Sequence, residues 1–347
     1  KLIYIYTIMI EHIVLSGGGP VGLIEYGILK ELTLKNKLKY ENIKSIYGTS
    51  IGGYIGLIYL LNLDWDWIDD FLIKRPWQNL INFSINDYIN LFYTKGFLDI
   101  EFTKKVISPL LFAKDLTIDT TLLDLYKLTN IDLHLFTTNL NKFSKIDLSY
   151  KTHPNLKIYE ALHMTSCIPL MIKPLYYENN YYIDGGIFVN SPIKECFINE
   201  KANINEILLL INDKENSVDM SNNFYKINNY DFSDTSKYEL YEDMNLLNFF
   251  ISMLKIIIGK INSIENDESI NIKNTVNVCL TPYTIDIKYW KYVFTNSEER
   301  SYLINLGVKL ANEFISNNIL DNSNNILDNS NNILDNSNNI LDNSNNI

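Results

Sequence analysis

Apolar residues form short runs that alternate with longer amphipathic stretches over residues 12–211. The runs at Ile43–Tyr47, Ile131–Leu140 and Asn205–Asn212 have the length and the β-branched and aromatic content of strands. The stretches between them repeat apolar residues at helical spacing. Strands that alternate with helices in this way are typical of a parallel sheet covered by helices, so we predict an α/β fold with a mainly parallel central sheet.

Two segments depart from the parallel arrangement. Residues 131–140 and 143–150 alternate apolar and polar side chains like two paired strands. The segment LYYENNYYID, residues 175–184, predicts a hairpin that turns at Glu178–Asn180. The run NEILLLIN, residues 205–212, is apolar throughout its centre and predicts a central strand.

The C-terminal part has a different pattern. Residues 213–241 are polar and predict a long surface loop. Polar residues at steps of three and four over residues 245–259 leave a wide apolar face, which favours a helix packed on the core; a lid or an interfacial helix is the alternative. A last helix is predicted over residues 297–315, with Asn296 and Glu299 spaced as a capping box.

The chain ends in a repeat. From Ser316 onward the sequence NNILDNS recurs every seven residues. Two adjacent apolar residues per repeat do not form a coiled-coil seam, and Asn and Ser are poor helix formers. We therefore predict a disordered tail over residues 316–347.

Composition and charge exclude several classes of protein. A net charge of −11 lacks the basic surface that nucleic-acid binding requires, so we predict no nucleic-acid partner. The three cysteines are scattered and odd in number, which argues against a disulfide framework or a metal site. No apolar stretch is long enough to span a bilayer, so we expect a protein of the cytoplasm or of a host cytoplasm rather than a transmembrane protein.

A glycine loop follows the first predicted strand. In HIVLSGGGPVGL, Gly17, Gly19 and Gly22 match the G-x-G-x-x-G spacing of dinucleotide and flavin sites. The same glycines would also let a substrate approach bare amides that stabilise an oxyanion. The loop alone does not decide between these two interpretations.

The second strand is followed by a candidate nucleophile. Ser50 lies in G-x-S-x-G with Gly48 and Gly52 on either side, between a strand and an apolar helix, which is the context of a nucleophile elbow. A dinucleotide site would need an acidic residue at the end of this strand, which instead ends in Tyr47 and Gly48. This difference favours the oxyanion interpretation of the glycine loop.

An activated serine also needs a base. In YYIDGGIFVNSPI, Asp184 ends a predicted strand and is followed by Gly185 and Gly186. Taken alone, such an Asp-Gly-Gly is a turn. In the same chain as Ser50 and the glycine loop, it favours a Ser/Asp dyad.

These motifs, with ALHMTSCIPLMIKPL at residues 161–175, make the stretch His12–Ile198 similar to the patatin-like phospholipases. The resemblance implies a three-layer α/β/α sandwich and a dyad without histidine. Ser50 would be the nucleophile and Asp184 its base. The glycine loop, Gly17, Gly18 and Gly19, would surround the oxyanion.

The resemblance also implies a domain organisation and a function. Residues 12–315 would form the patatin-like domain, with a motif-bearing core at 12–198 and a helical part from about 240 to 315, after an N-terminal extension over residues 1–11. The expected activity is that of a lipid acyl hydrolase of the phospholipase A type. It would cleave fatty-acyl esters of phospholipids or related lipids through an acyl-enzyme, with no cofactor, and peripheral membrane contact would accompany it.

One departure keeps alternatives open. Family members commonly carry Lys or Arg before the last glycine of the loop, where this chain has Val21. A catalytically silent lipid-binding or interaction protein on the same fold is therefore the main alternative. A flavin or dinucleotide protein is a further one. Among the histidines, His163 is expected nearest the site, in a structural role.

Overall fold

The computed structural model describes residues 9–81, 93–212, 249, 252–253, 256–261, 270–278 and 287–317. Its central sheet has eight strands, of which seven follow the order β10-β9-β1-β2-β4-β8-β7, with β5 on the other side of β4. The strands of this sheet are β1 (His12–Leu15), β2 (Ser45–Thr49), β4 (Asp132–Asn139), β5 (Ser144–Leu148), β7 (Leu175–Tyr177), β8 (Asn180–Asp184), β9 (Ile207–Ile211) and β10 (Asn274–Asn277). A separate parallel pair is formed by β3 (Gly96–Leu98) and β6 (Leu170–Ile172).

We label nine α-helices in the described part of the chain. They are α1 (Val21–Leu34), α2 (Ile51–Leu61), α3 (Trp65–Lys74), α4 (Ile100–Phe112), α5 (Leu122–Thr129), α6 (Ile158–Ser166), α7 (Ile193–Glu200), α8 (Ile287–Thr295) and α9 (297–317). Residues 256–261 are also helical, but they adjoin residues outside the described part and receive no label.

The long strand β4 joins the parallel and antiparallel parts of the sheet. Its first half pairs with β2 in parallel, up to Thr49 opposite Phe136. Its second half pairs with β8 in the antiparallel sense, beginning with Asp184 opposite Thr137. Since β5 occupies the other side of β4 at the same positions, β2 and β8 lie on one side and meet end to end. This junction brings together two chain positions that are far apart in sequence.

Each face of the sheet has its own core. On one face, Ile13, Leu15 and Ile46 pack against residues of α1, α2, α6 and α9. On the other, Val14, Tyr47 and Phe136 pack against α7 and the segment that precedes it. Strand positions alternate between these two clusters because successive side chains point to opposite faces. The prediction of a central sheet flanked by helices is confirmed.

Several local predictions hold in detail. The hairpin turns at Glu178 and Asn179, whose positive φ of 45° and 62° suits a two-residue turn between twisted strands. β9 lies between β10 and β1, as expected of an interior strand. The short, polar strand β10 was not predicted, because its sequence NTVN has no strand-like run of apolar residues.

The C-terminal predictions are covered only in part. The last helix extends over residues 297–317, two residues beyond the predicted end, and Asn296 Oδ1 accepts the N–H of Glu299 at 3.1 Å as an N-cap. The predicted surface loop at 213–241 and the repeat tail from 318 onward lie outside the described residues. Within the described residues, no helix is both long enough and apolar enough to cross a bilayer.

Candidate active site

Ser50 occupies a strained turn between β2 and α2. Its φ of 54° and ψ of −122° lie outside the regions that side-chain-bearing residues prefer, and the residue is 5% exposed. Such strain persists only where the surroundings hold it. The turn presents Ser50 at the carboxyl end of β2, directly before the first turn of α2.

Thr165 of α6 holds this turn in place. Its Oγ1 accepts the N–H of Ser50 at 2.9 Å and donates to the carbonyl of Phe136 in β4. The strained peptide is thereby tied to the adjacent strand through a buried hydroxyl group. Thr165 has no sequence signal of its own, although it lies in the segment 161–175 that contributes to the family resemblance.

Asp184 lies beside Ser50 because β2 and β8 meet end to end along β4. Oδ1 of Asp184 accepts the N–H of Gly186 at 2.7 Å, which fixes the carboxyl group. The other oxygen, Oδ2, is buried and has no hydrogen-bond partner within the described residues. The carboxyl group therefore keeps one oxygen available for a proton from a neighbouring hydroxyl.

The environment of Asp184 changes its acidity. Burial raises the pKa of this carboxyl group to about 6, while the Ser50 hydroxyl and the N–H of Gly186 partly oppose the rise. The approach of the Ser50 hydroxyl to this carboxyl group falls short of a hydrogen bond of ordinary geometry, as is common in unliganded sites. A carboxylate with a pKa near 6 is a stronger base than an exposed aspartate and is still mostly ionised at neutral pH.

The glycine loop lies against Ser50. A Cβ placed on Gly17 would be 3.3 Å from the Cβ of Ser50. The N–H of Gly17 is already donated to the carbonyl of Asn190 at 3.0 Å, so Gly17 lines the site without offering a free donor. Among the described residues, the N–H groups of Gly18 and Gly19 form no hydrogen bond. They are the loop amides available to an oxyanion.

Gly19 is required by its conformation and by its neighbour. Its φ is +58°, and a Cβ there would lie 2.2 Å from the ring of Trp290 in α8. The indole therefore packs directly on the backbone of the loop. No sequence signal connected Trp290 to the site, because the contact joins positions 271 residues apart (290 − 19).

The supporting glycines of the motifs all lie at close approaches. A Cβ at any one of them would come within 2.1 to 3.0 Å of another group. At Gly52 that group is the carbonyl oxygen of Leu15, at 2.5 Å, so α2 packs directly on the end of β1. The set comprises Gly22, Gly48, Gly52, Gly185 and Gly186.

Two further side chains lie behind the loop. Val21, at the position where the family resemblance implies a cation, is fully buried at the start of α1. Glu25, one turn later, is also fully buried beside the backbone of Ser16, and burial raises its pKa well above the ordinary value. A raised pKa favours the neutral form of Glu25, which places less negative charge behind the loop than an ionised carboxylate would. Sequence reasoning missed Glu25, because nothing in the helical pattern marks its burial.

The histidines lie outside the dyad. Nδ1 of His163 is 2.9 Å from Thr103 Oγ1, and Nε2 is 3.0 Å from the carbonyl oxygen of Lys173. Burial lowers the pKa of His163 to about 4, although the Lys173 carbonyl opposes the shift. Both ring nitrogens are thus engaged in packing α6 against its neighbours, which agrees with the structural role predicted for this residue.

One group of side chains in the described residues has the spacing of metal ligands. Glu11, His12 and Glu206 offer ligand atoms within 4.8 Å of one another. They lie at the amino-terminal ends of β1 and β9, whereas Ser50 lies at the carboxyl-terminal end of the neighbouring strand β2. Glu11 already forms an ion pair with Lys44, and His12 Nδ1 contacts Ser45 Oγ at 2.7 Å. The cluster is separate from the candidate active site.

Comparison with known proteins identifies the family. The model of the patatin-like phospholipase family matches residues 13–197. The chain is 27% identical over 290 residues to the uncharacterized protein R571 of Acanthamoeba polyphaga mimivirus, covering 82% of this chain and 90% of that protein. It is 28% identical over 186 residues to the "Probable lipid hydrolase 463L" of Invertebrate iridescent virus 6, covering 53% and 62% respectively.

A solved structure is also similar. The crystal structure of VipD from Legionella pneumophila aligns with a TM-score of 0.42 and 16% identity, over 88% of this chain and 67% of that one. The family assignment rests on the family model, which covers more than half of the chain. The chain belongs to the patatin-like phospholipase family and is an ester-hydrolysing enzyme.

Proposed function

We propose that the protein is a serine lipid acyl hydrolase, in which Ser50 is the nucleophile and Asp184 its base. The substrates are fatty-acyl esters of phospholipids or related lipids. The relative from Invertebrate iridescent virus 6 is named a probable lipid hydrolase, which agrees with this substrate class. The N–H groups of Gly18 and Gly19 stabilise the oxyanion.

The reaction divides into two transfers of the acyl group. Ser50 Oγ attacks the ester carbonyl carbon while Asp184 Oδ2 takes the hydroxyl proton, and the carbonyl oxygen becomes an oxyanion facing the loop. Collapse breaks the ester C–O bond, and the proton passes from Asp184 to the leaving alcohol. Water then attacks the acyl-enzyme, gives its proton to Asp184, and the fatty acid leaves as the proton returns to Ser50.

One observation carries most of this proposal. Two strands from distant parts of the chain, β2 and β8, end against the same stretch of β4, next to Phe136 and Thr137. The residues at those two ends are the strained Ser50 and the buried Asp184, and the glycine loop borders them. A serine, a carboxylate with raised pKa and free amides at one point are what acyl transfer requires.

Labelling with a fluorophosphonate probe tests the proposal without knowledge of the natural substrate. We expect the parent protein to be labelled on Ser50, with the modified peptide located by mass spectrometry. Ser50→Ala should not be labelled. Asp184→Asn keeps the size and the Gly186 contact of the side chain but cannot accept the proton, so its labelling should be at least about a hundredfold slower. Ser191→Ala, at another serine of the motifs, is the matched control and should be labelled like the parent.

The opposite result is equally clear. Absence of labelling in a folded parent protein, with phospholipid vesicles present, would contradict the proposal and favour a catalytically silent lipid-binding protein. Labelling of Ser50 that is unaffected in Asp184→Asn would retain the nucleophile and remove Asp184 as its base.

A further inference from the structure

Two loops extend beyond the carboxyl end of the sheet, next to the candidate active site. One joins β4 to β5, and the other is the β7–β8 hairpin. The N–H of Leu140 donates to the carbonyl of Tyr181 at 2.8 Å, and the Tyr181 ring lies 4.8 Å from that of Tyr176. The Phe143 ring meets Phe188 edge to face at 5.0 Å. We call these five residues the aromatic patch.

The patch is exposed to an unusual degree. Phe143 and Tyr176 are each 57% exposed, and Leu140 is 45% exposed. Phe143 also has a φ of +47°, in the left-handed region that favours glycine or asparagine over a bulky side chain. Phe143 therefore adopts a strained backbone while more than half of its surface remains exposed, so beyond its contact with Phe188 it contributes little to packing. An exposed apolar cluster of this kind is typical of an interaction surface.

The patch is continuous with the candidate active site. Phe188 belongs to the segment 184–190, which begins at Asp184. The carbonyl of Val189 in this segment accepts a hydrogen bond from Thr49 Oγ1 at 2.8 Å, and Asn190 pairs with Gly17 of the glycine loop. The two ends of the segment therefore border the site, while its middle carries part of the aromatic patch.

The charges beside the patch differ from those of the whole protein. Lys95 Nζ lies 5.8 Å from the Tyr181 ring centroid, and Lys142 is exposed in the loop between Leu140 and Phe143. Glu178 is the acidic residue of the adjacent hairpin turn. Among the described residues, two lysines beside one glutamate leave a small local excess of positive charge, on a chain of net charge −11, and this excess is complementary to phosphate groups. Tyrosine and lysine are enriched at membrane interfaces, and phenylalanine and leucine form the inserted face of interfacial helices.

We propose that the aromatic patch docks on the surface of a phospholipid bilayer and presents the Ser50–Asp184 site to the lipid ester bonds. This inference rests on the proposed function for its choice of partner, since a lipid acyl hydrolase must reach esters held in a bilayer. Insertion of apolar side chains supplies most of the affinity, and the lysines orient the docked protein. Binding to zwitterionic phosphatidylcholine vesicles is therefore expected to persist at high salt. A purely electrostatic contact would be lost under the same conditions, because salt screens the charges.

Vesicle sedimentation tests the patch directly. Phosphatidylcholine vesicles are used with Ser50→Ala protein, so that no lipid is consumed during the measurement. In this background, Leu140→Ser, Phe143→Asn and Tyr176→Ser are combined; asparagine suits the backbone at 143. We expect binding about a hundredfold weaker than in Ser50→Ala alone.

The matched control carries Leu34→Ser and Leu128→Ser in the same background. These leucines are 54% and 53% exposed, close to the exposure of the patch residues, but they precede β2 and β4 at the opposite edge of the sheet. We expect the control to bind like Ser50→Ala alone. Thermal unfolding of each variant verifies that it is folded.

The outcomes separate docking from catalysis. Equal binding by the patch variant and the control would overturn the docking proposal, as would binding that requires anionic vesicles and is lost in salt. A patch variant that loses only a concentration-dependent self-association would identify a second copy of the chain as the partner and would also overturn it. Loss of vesicle binding in the patch variant but not in the control would support docking. If the parent protein were at the same time not labelled by the fluorophosphonate, docking would stand and the proposed catalytic function would fail.

Discussion

The acidity of Asp184 gives the site a characteristic pH dependence. Burial raises the pKa of this carboxyl group to about 6, and in the proposed mechanism only its ionised form accepts the Ser50 proton. The rate of Ser50 labelling should therefore fall as the pH drops through about 6. Between about pH 7 and about pH 5 the ionised fraction decreases by roughly a factor of ten.

The measurement is the second-order rate of fluorophosphonate labelling across this range, with the fold monitored by circular dichroism at each pH. An aspartate with its ordinary pKa of 3.8 would leave the rate almost flat down to about pH 5. A flat profile in a protein that stays folded would contradict either the role of Asp184 or its burial. The profile thus reports on the environment of one carboxyl group.

Residue chemistry was more predictable from the sequence than residue surroundings. Ser50 and Asp184 lie in motifs whose local context suggests their chemistry. By contrast, the N–H of Gly17 is occupied by Asn190, which could not be predicted because the two residues are 173 positions apart. The same applies to Thr165, which holds the strained Ser50 from another helix. The periodicity of apolar residues predicts the helix or strand to which a residue belongs. Contacts between distant residues depend on how those helices and strands pack together.

The same limit applies to whole elements. Alternating strands and helices predicted the parallel sheet, and the turn at Glu178 predicted the β7–β8 hairpin. Neither pattern indicates that β8 pairs with the same side of β4 as β2, directly beyond the end of β2. The position of a strand within a sheet depends on which distant strands pair with it. A short window of sequence does not contain this information. The proposed dyad is nevertheless defined by this placement.

A second junction between elements leads to a stability prediction. Helices α1 and α9 cross with their backbones in contact at Gly27 and Gly307. A Cβ on Gly27 would lie 2.2 Å from the carbonyl oxygen of Ile304, and one on Gly307 would lie 2.2 Å from that of Ile24. Backbone atoms cannot rotate away as a side chain can. Gly27→Ala or Gly307→Ala should therefore separate the helices and lower the free energy of unfolding by about 2 kcal/mol.

Urea unfolding of the two variants measures this change. Gly259→Ala is the matched control, because a Cβ at Gly259 would meet no described residue within 4 Å, in a segment that is helical over residues 256–261. Alanine there should leave stability unchanged or raise it by up to about 1 kcal/mol, through helix propensity. If all three variants unfold at the same urea concentration, the close crossing of α1 and α9 is wrong.

Over the whole molecule, buried ionisable groups lie near both ends of β4. Near its start, Nδ1 of His134 lies 2.8 Å from Asp147, and Nε2 lies 3.0 Å from Asp132. Lys151 approaches Asp132 at 2.9 Å, and the Tyr47 ring stacks on the imidazole. Near the other end of β4 lies Asp184. Activity and stability should consequently respond to pH through different groups.

His134 determines the alkaline side of this response. Burial alone would lower its pKa, but the close carboxylates of Asp132 and Asp147 outweigh burial and raise the pKa from 6.5 to about 9. A histidine whose pKa is raised by folding stabilises the protein fully below the unfolded value. That contribution is lost progressively as the pH rises from about 6.5 to about 9, and it amounts to about 3 kcal/mol.

Urea unfolding at about pH 6, about pH 7.5 and about pH 9.5 should therefore show a falling free energy of unfolding in the parent protein. His134→Gln retains a hydrogen-bonding side chain but no titrating group, so it should be less stable at about pH 6 and lose most of this slope. Its Ser50 should be labelled at the parent rate near neutral pH, because His134 lies outside the proposed dyad. If the free energy of unfolding of His134→Gln depends on pH as strongly as that of the parent protein, then protonation of His134 is not what stabilises the fold.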